Sequence, residues 1–167
     1  ITHAADGYHP MMLLYSSYIP AGDEYLAGGD ILGTDPYWTP GMAVAGRNTP
    51  NFVSKIVYWN DQRAQKFRQP VWNVLMGWEW SGVRKRGIGP AEQDCQNFLA
   101  IIHGARGITW FRYPMPAPAW DNLAAAMAKV KVIGPMAVQP AVRQNIRHMR
   151  ANAPDAEYQA AAFIPER

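Results

Sequence analysis

The chain has 167 residues, a formal net charge of +3 and an apolar fraction of 49%, which fit one globular domain rather than a disordered chain. The basic residues are scattered and form no stripe with interleaved aromatic residues, so we expect no nucleic-acid binding. No apolar run is long enough to cross a bilayer, so we expect no membrane insertion. The single cysteine, Cys95, excludes an internal disulfide, and no cluster of His, Asp or Glu has metal-ligand spacing.

Four apolar segments predict β-strands in the first two thirds of the chain. They are Met11–Tyr18, Asp30–Thr34, Val71–Met76 and Gly107–Arg112. Each is a nearly continuous apolar run, as is typical of parallel strands that are covered on both faces. No glycine-rich phosphate loop follows the first of them, which argues against a nucleotide cofactor, and we expect no cofactor of any kind.

Helical spacing of apolar residues predicts three helices, at Thr49–Phe67, Pro90–His103 and Ala119–Ile133. Thr49-Pro50 is expected to start the first helix, and Gly134-Pro135 is expected to stop the third. Strands that alternate with helices predict an α/β fold with about four parallel strands in sequential order and the helices on one side of the sheet.

The last part of the chain, residues 141–167, does not continue this alternation. Arg143, Arg147 and Arg150 follow helical spacing, which predicts a solvated face or helix-terminal charge. Tyr158–Ile164 predicts either the first strand of an appended β domain or a disordered end. We therefore expect one unit at residues 1–140 and a tail or the start of a second domain at residues 141–167.

Several stretches resemble a known family. His9-Pro10 before a strand, Gly29–Tyr37 (GDILGTDPY), Pro70–Leu75 (PVWNVL) and Leu99–Phe111 (LAIIHGARGITWF) are similar to strands five to eight of bacterial glycoside-hydrolase barrels. The resemblance implies a partial (β/α)₈ barrel, namely its C-terminal half, because a complete barrel needs roughly 250 residues. It also implies that the general acid/base, which follows strand four in those enzymes, lies in the other half.

Barrel enzymes carry out their chemistry at the carboxyl ends of the strands. In this sequence the residues at those ends are Asp35, Tyr37, Trp38, Trp78, Glu79, Trp80, Arg112 and Tyr113. Glycoside hydrolysis uses two carboxyl groups, and the resemblance assigns the carboxylate after strand seven to a position at or near Glu79. Glu79 and Asp35 are therefore the candidate catalytic acids. Alternatively, Glu79 accepts a hydrogen bond from a sugar hydroxyl or is a structural partner of Arg112. The alternative for Asp35 is that it starts a turn.

The aromatic and basic residues at these ends are candidates for substrate binding. Seven Trp and eight Tyr are many for this length, and indole faces can stack on sugars. Trp38, Trp78 and Trp80 are predicted to stack on a sugar, with packing beneath a loop as the alternative. His103 and Arg106 precede the last strand, and we expect them to satisfy buried backbone carbonyls instead.

The sequence thus predicts a carbohydrate-active protein, a fragment of a glycoside hydrolase that cleaves O-glycosidic bonds with paired carboxylates. The alternative is a non-catalytic carbohydrate-binding or scaffolding barrel. The expected ligand is an oligo- or polysaccharide. The sequence leaves the location open, with an extracellular or periplasmic one favoured. Half a barrel leaves two open strand edges and an uncovered apolar layer, so we expect the other half to come from another chain, a second copy or further residues.

Overall fold

The computed structural model has an α/β architecture. Its described residues contain one four-stranded parallel sheet, three α-helices and a separate two-stranded sheet. The described residues are 6–16, 23–38, 49–77, 88–111, 115, 117–138, 141–150 and 157–163.

The parallel sheet has its strands in sequential order, which confirms the predicted order and direction. The strands are β1 (Met12–Tyr15), β2 (Ile31–Thr34), β3 (Val71–Met76) and β4 (Ala105–Phe111). Strand β2 starts one residue later than predicted. Asp30, just before it, bonds to Met11 twice: its backbone N–H donates to the Met11 carbonyl at 2.9 Å, and its carboxylate accepts from the Met11 N–H at 2.7 Å. A 3₁₀ helix, Asp23–Gly28, lies between β1 and β2.

Two helices pack on one face of the sheet, as predicted. They are α1 (Asn51–Lys66) and α2 (Pro90–Ile102), and both contribute buried residues to a cluster around Leu75 of β3. Helix α1 begins one residue after Pro50, which occupies the N-cap position without a side-chain cap. The backbone N–H at the start of α2, that of Gly89, donates to the Glu92 carboxylate at 2.9 Å.

The third helix does not stop where the sequence predicted. Helix α3 (Ala117–Ala137) continues through Gly134 and Pro135, although proline lacks the N–H that a helix interior needs. Gly134 has no Cβ that could clash with the ring of Pro135. The final carbonyl of the helix, on Ala137, accepts a hydrogen bond from Arg106, which confirms the predicted role of that side chain.

Helix-terminal charge, one of the two predictions for Arg143, Arg147 and Arg150, is wrong. Residues 141–150 form a strand, β5 (Ala141–Arg150), which pairs antiparallel with β6 (Glu157–Phe163). Pairing between the two strands satisfies backbone groups that a helix would satisfy locally, and such tertiary context commonly overrides local preference. Whether this hairpin begins a second domain stays a prediction.

The helix-covered face of the sheet contains two apolar clusters with a polar pair between them. One cluster includes Val71 at the start of β3, and the other includes Leu75 near its end. Asn73 lies between them on the same face and is fully buried, as is Thr34 opposite it on β2. The Thr34 hydroxyl donates to the Asn73 side-chain oxygen at 2.9 Å. This bond joins the two central strands inside the core.

The other face of the sheet carries exposed apolar side chains. Leu14, Gly33, Trp72 and Gly107 form one row across the four strands. Phe111 lies four residues after Gly107 on β4 and therefore on the same face of the sheet. The exposed fractions are 51% for Leu14, 36% for Trp72 and 43% for Phe111. This surface, formed by Met12, Leu14, Trp72 and Phe111, is called the open face below.

Candidate functional site at the carboxyl edge of the sheet

The carboxyl ends of the strands meet at one edge of the sheet. The last residue of β2, Thr34, lies opposite Asn73, and β3 continues from there to Met76, which lies opposite Phe111 of β4. The segment that follows β2, residues 35–38, therefore runs beside the last residues of β3. Because the strands are parallel, the residues predicted to form the site follow strands that end at this edge.

Asp35 is fixed by its backbone at the end of β2. Its N–H donates to the carbonyl of Tyr15 at 3.2 Å, which extends the β1–β2 pairing by one residue. Its own carbonyl accepts from the N–H of Tyr37 at 2.7 Å, across the fully buried Pro36. A turn and a ligand role were the alternatives predicted for Asp35. The backbone forms the turn, and the side chain is partly exposed at the edge of the sheet.

Tyr37 follows this turn and reaches across to β4. Its ring centroid lies 5.9 Å from that of Phe111, at a tilt of 33°. Burial, followed by the negative charge of Asp35, raises the pKa of the Tyr37 phenol far above its ordinary value of 10.0. The phenol is therefore protonated at neutral pH and is available as a hydrogen-bond donor beside a carboxylate.

Gly77 closes the edge between the ends of β3 and β4. Its N–H donates to the carbonyl of Phe111 at 2.5 Å. A Cβ at this position would lie 2.6 Å from the Met115 methyl group and 3.0 Å from the Phe111 carbonyl oxygen. A side chain larger than that of glycine would therefore displace the end of Met115 and crowd the Phe111 carbonyl where the chain leaves β3. The next residues in the sequence are Trp78-Glu79-Trp80.

Trp38 is in a different environment from the one that sugar stacking needs. It is only 1% exposed and packs in the cluster formed by α1, α2 and the end of β3. Its indole N–H donates to the side-chain oxygen of Gln96 at 3.2 Å. Since neither face of the ring is open to a ligand, the alternative of packing describes Trp38 better than the stacking prediction does.

Sequence reasoning missed three amide side chains of α2 behind this edge. Gln93, Gln96 and Asn97 are at most 2% exposed. Gln96 donates to the carbonyl of Met76 at 2.5 Å, and Asn97 accepts from the indole N–H of Trp110 at 3.0 Å. Gln93, Gln96 or Asn97, and the buried Ala100 are three or four residues apart, so they lie on one face of the helix. This spacing in the sequence could have identified the three amides as facing the core.

Five of the predicted site residues lie outside the described residues. They are Trp78, Glu79, Trp80, Arg112 and Tyr113. Trp78, Glu79 and Trp80 follow Gly77 directly in sequence, and Arg112 and Tyr113 follow Phe111.

No group of three or more His, Cys, Asp or Glu side chains among the described residues is arranged to hold a metal ion. Within the same part of the chain, no helix has the length and hydropathy required to cross a membrane. The thiol of Cys95 packs against the core, and burial, with a smaller contribution from Glu92, raises its pKa, so it is protonated at neutral pH.

Comparison with known proteins gives no assignment: no family model matches the chain, and neither curated proteins nor solved structures give a match.

Proposed function

We propose that the chain is the C-terminal half of a (β/α)₈ barrel that binds an oligo- or polysaccharide and takes part in cleaving its O-glycosidic bonds. The single observation that carries this proposal is the convergence of Asp35, Tyr37 and Phe111 at the carboxyl edge of a parallel sheet. Enzymes with this barrel fold carry their catalytic residues at that edge.

The open face supports the barrel part of the proposal. In a barrel, helices cover the outside of the sheet and side chains from all the strands fill the inside. Here α1 and α2 pack on one face, whereas Met12, Leu14, Trp72 and Phe111 on the other face are 36–51% exposed. Four further strands would cover these side chains and pair with the open edges of β1 and β4. Without such a cover, an exposed apolar layer of this kind favours association with other molecules.

The chemistry of the edge supports the carbohydrate part of the proposal. A retaining glycosidase holds two carboxyl groups about 5–5.5 Å apart, and an inverting one holds them about 6.5–9.5 Å apart. Asp35 supplies one carboxyl group at the end of β2, and the other candidate, Glu79, comes three residues after Met76 in the sequence. We assign Glu79 as nucleophile or electrostatic stabiliser and Asp35 as the second candidate carboxylate.

The remaining residues are assigned to sugar binding. A protonated phenol such as that of Tyr37 can donate to a sugar hydroxyl, and its ring together with Phe111 offers apolar contact. Trp78, Trp80, Arg112 and Tyr113 are assigned to the same cleft from their places in the sequence. Trp38 is left out of the binding set because it is buried.

The experiment is a titration of the protein with cellohexaose, xylohexaose, maltohexaose and chitohexaose, followed by heteronuclear NMR. Binding of at least one of them should shift the backbone signals of Asp35, Tyr37 and Gly77 but not those of Asp30 at the opposite edge. Absence of any shift at the carboxyl edge with all four sugars would contradict the proposal. Shifts without hydrolysis by the complete barrel would favour a binding or scaffolding barrel.

A further inference from the structure

The side chain of Gln96 connects two strand ends from behind the sheet. Its oxygen accepts from the indole N–H of Trp38 at 3.2 Å, and its nitrogen donates to the carbonyl of Met76 at 2.5 Å. The indole can only donate and the carbonyl can only accept, so a single orientation of the amide satisfies both. In the flipped orientation, the amide nitrogen would face the Trp38 indole N–H, so two donors would meet. The amide oxygen would face the Met76 carbonyl oxygen, so two acceptors would meet.

Burying this amide is unfavourable unless the hydrogen bonds compensate for its lost hydration. Gln96 is 0% exposed, and its two partners, Trp38 and Met76, belong to the apolar cluster around Leu75. An apolar side chain of similar size would fill the same space without the cost of removing a polar group from water. The amide therefore has a role other than packing, and its two partners identify that role.

Both partners lead directly into the candidate site. Trp38 adjoins Tyr37 in the segment that starts with Asp35, and Met76 precedes Gly77 and the Trp78-Glu79-Trp80 segment. Gln96 thus joins the segment that carries one candidate carboxylate to the strand end that leads to the other. Backbone groups joined through one buried side chain keep their separation more closely than groups on two independent loops.

We propose that Gln96 is a positioning residue: it fixes the segment after β2 against the end of β3 and so sets the placement of Asp35 and Tyr37 in the site. The assignment of this site to carbohydrate chemistry rests on the proposed function. The positioning itself does not, because it follows from the two hydrogen bonds and is measurable without any sugar.

The first test compares Gln96→Leu with Gln93→Leu by NMR. Both substitutions remove a buried glutamine from the same helix, but Gln93 bonds to Asn97 of its own helix, with its nitrogen 3.3 Å from the Asn97 oxygen. We expect Gln96→Leu to shift the Trp38 indole N–H signal and to abolish the nuclear Overhauser contact between the Tyr37 and Phe111 rings. Gln93→Leu should retain both signals. Retention of both signals in Gln96→Leu would overturn the proposal.

A second variant keeps the proposal testable if Gln96→Leu does not fold. In Gln96→Glu the protonated carboxyl group can accept from Trp38 and donate to the Met76 carbonyl, whereas the ionised group cannot donate. The Tyr37–Phe111 contact should therefore be present in mildly acidic buffer and lost as the introduced group ionises, while the wild-type contact stays unchanged over the same pH range. A contact that is independent of pH in Gln96→Glu, including its ionised form, would overturn the proposal.

Sugar binding separates this inference from the proposed function. If the wild-type protein binds one of the four hexaoses, Gln96→Leu should weaken that binding at least tenfold, and Gln93→Leu should leave it within about twofold. If the Tyr37–Phe111 contact responds as described but no hexaose binds, the positioning role stands and the proposed function fails. If a hexaose binds equally well to both variants, Gln96 does not set the site.

Discussion

The indole ring of Trp72 lies against Gly107 on the neighbouring strand, so closely that a Cβ at residue 107 would be 2.5 Å from ring atom Cε2 and 2.7 Å from Cγ. The two residues face each other in the β3–β4 register. Glycine at this position therefore makes room for a large ring on the open face. The contact involves Cγ, at the base of the side chain, which cannot move away without a change of rotamer.

The first prediction follows from this contact. Gly107→Ala should lower the free energy of unfolding by about 1–3 kcal/mol, because the added methyl group forces Trp72 from its place. Urea denaturation measures the change. The control is the same substitution in a Trp72→Ala background, where the methyl group meets no ring and the loss should largely disappear. An equal loss in both backgrounds would contradict the assigned cause.

The second prediction concerns the polar pair between the two core clusters. Thr34→Val keeps the shape of the side chain but removes the donor to Asn73, and leaves the Asn73 oxygen buried without that partner. The expected loss in the free energy of unfolding is about 1–3 kcal/mol. Thr34→Ser is the control, since it keeps the hydroxyl group and loses one methyl group, worth about 0.8 kcal/mol. A larger loss for Thr34→Ser than for Thr34→Val would show that packing matters more than the hydrogen bond.

The third prediction is a loss of stability in alkaline solution that depends on Tyr37. The phenol ionises at about pH 10 in the unfolded chain but only at higher pH in the folded protein, because burial and the Asp35 charge raise its pKa. Above about pH 10 the unfolded state releases a proton that the folded state retains, so the stability due to this group falls as the pH rises. Urea denaturation across this range should show a steeper fall for the wild type than for Tyr37→Phe. Parallel curves would be inconsistent with a raised pKa.

The sequence predicted the parallel sheet well because its signals are local. Val71–Met76 was predicted to the residue, since Pro70 and Gly77 flank a run that is apolar except for Asn73. Helices α1 and α2 were predicted to within two residues of each end from apolar spacing. The end of α3 was missed because local rules give Pro135 a strong stop signal, whereas Gly134 relieves part of the clash.

The site was predicted less completely because it depends on contacts between distant residues. Asp35 and Tyr37 follow a strand end, and this position is visible in the sequence. Whether Trp38 faces a ligand or the core depends on Gln96, which lies 58 residues away in sequence. Helical spacing can indicate that Gln96 faces inward, but it cannot identify the indole and the carbonyl that it meets.

The proposed glycosidase site at the carboxyl edge of the sheet is tested most directly by the turnover of Glu79→Gln in the complete barrel. The substitution keeps the shape and one acceptor oxygen but removes the charge that a nucleophile or stabiliser needs. We expect hydrolysis to fall by about a thousandfold, near 4 kcal/mol in barrier, with sugar binding largely retained. Trp80→Ala should instead weaken binding through lost stacking surface.

Glu92→Gln is the matched control for this measurement. Glu92 accepts from the N–H of Gly89 at the start of α2, and an amide oxygen can accept the same bond, so turnover should stay near that of the wild type. We expect Glu79→Gln to lose turnover and Glu92→Gln to retain it, on whichever hexaose the wild type cleaves. Near-normal turnover by Glu79→Gln on that substrate would show that Glu79 is neither the nucleophile nor a stabiliser.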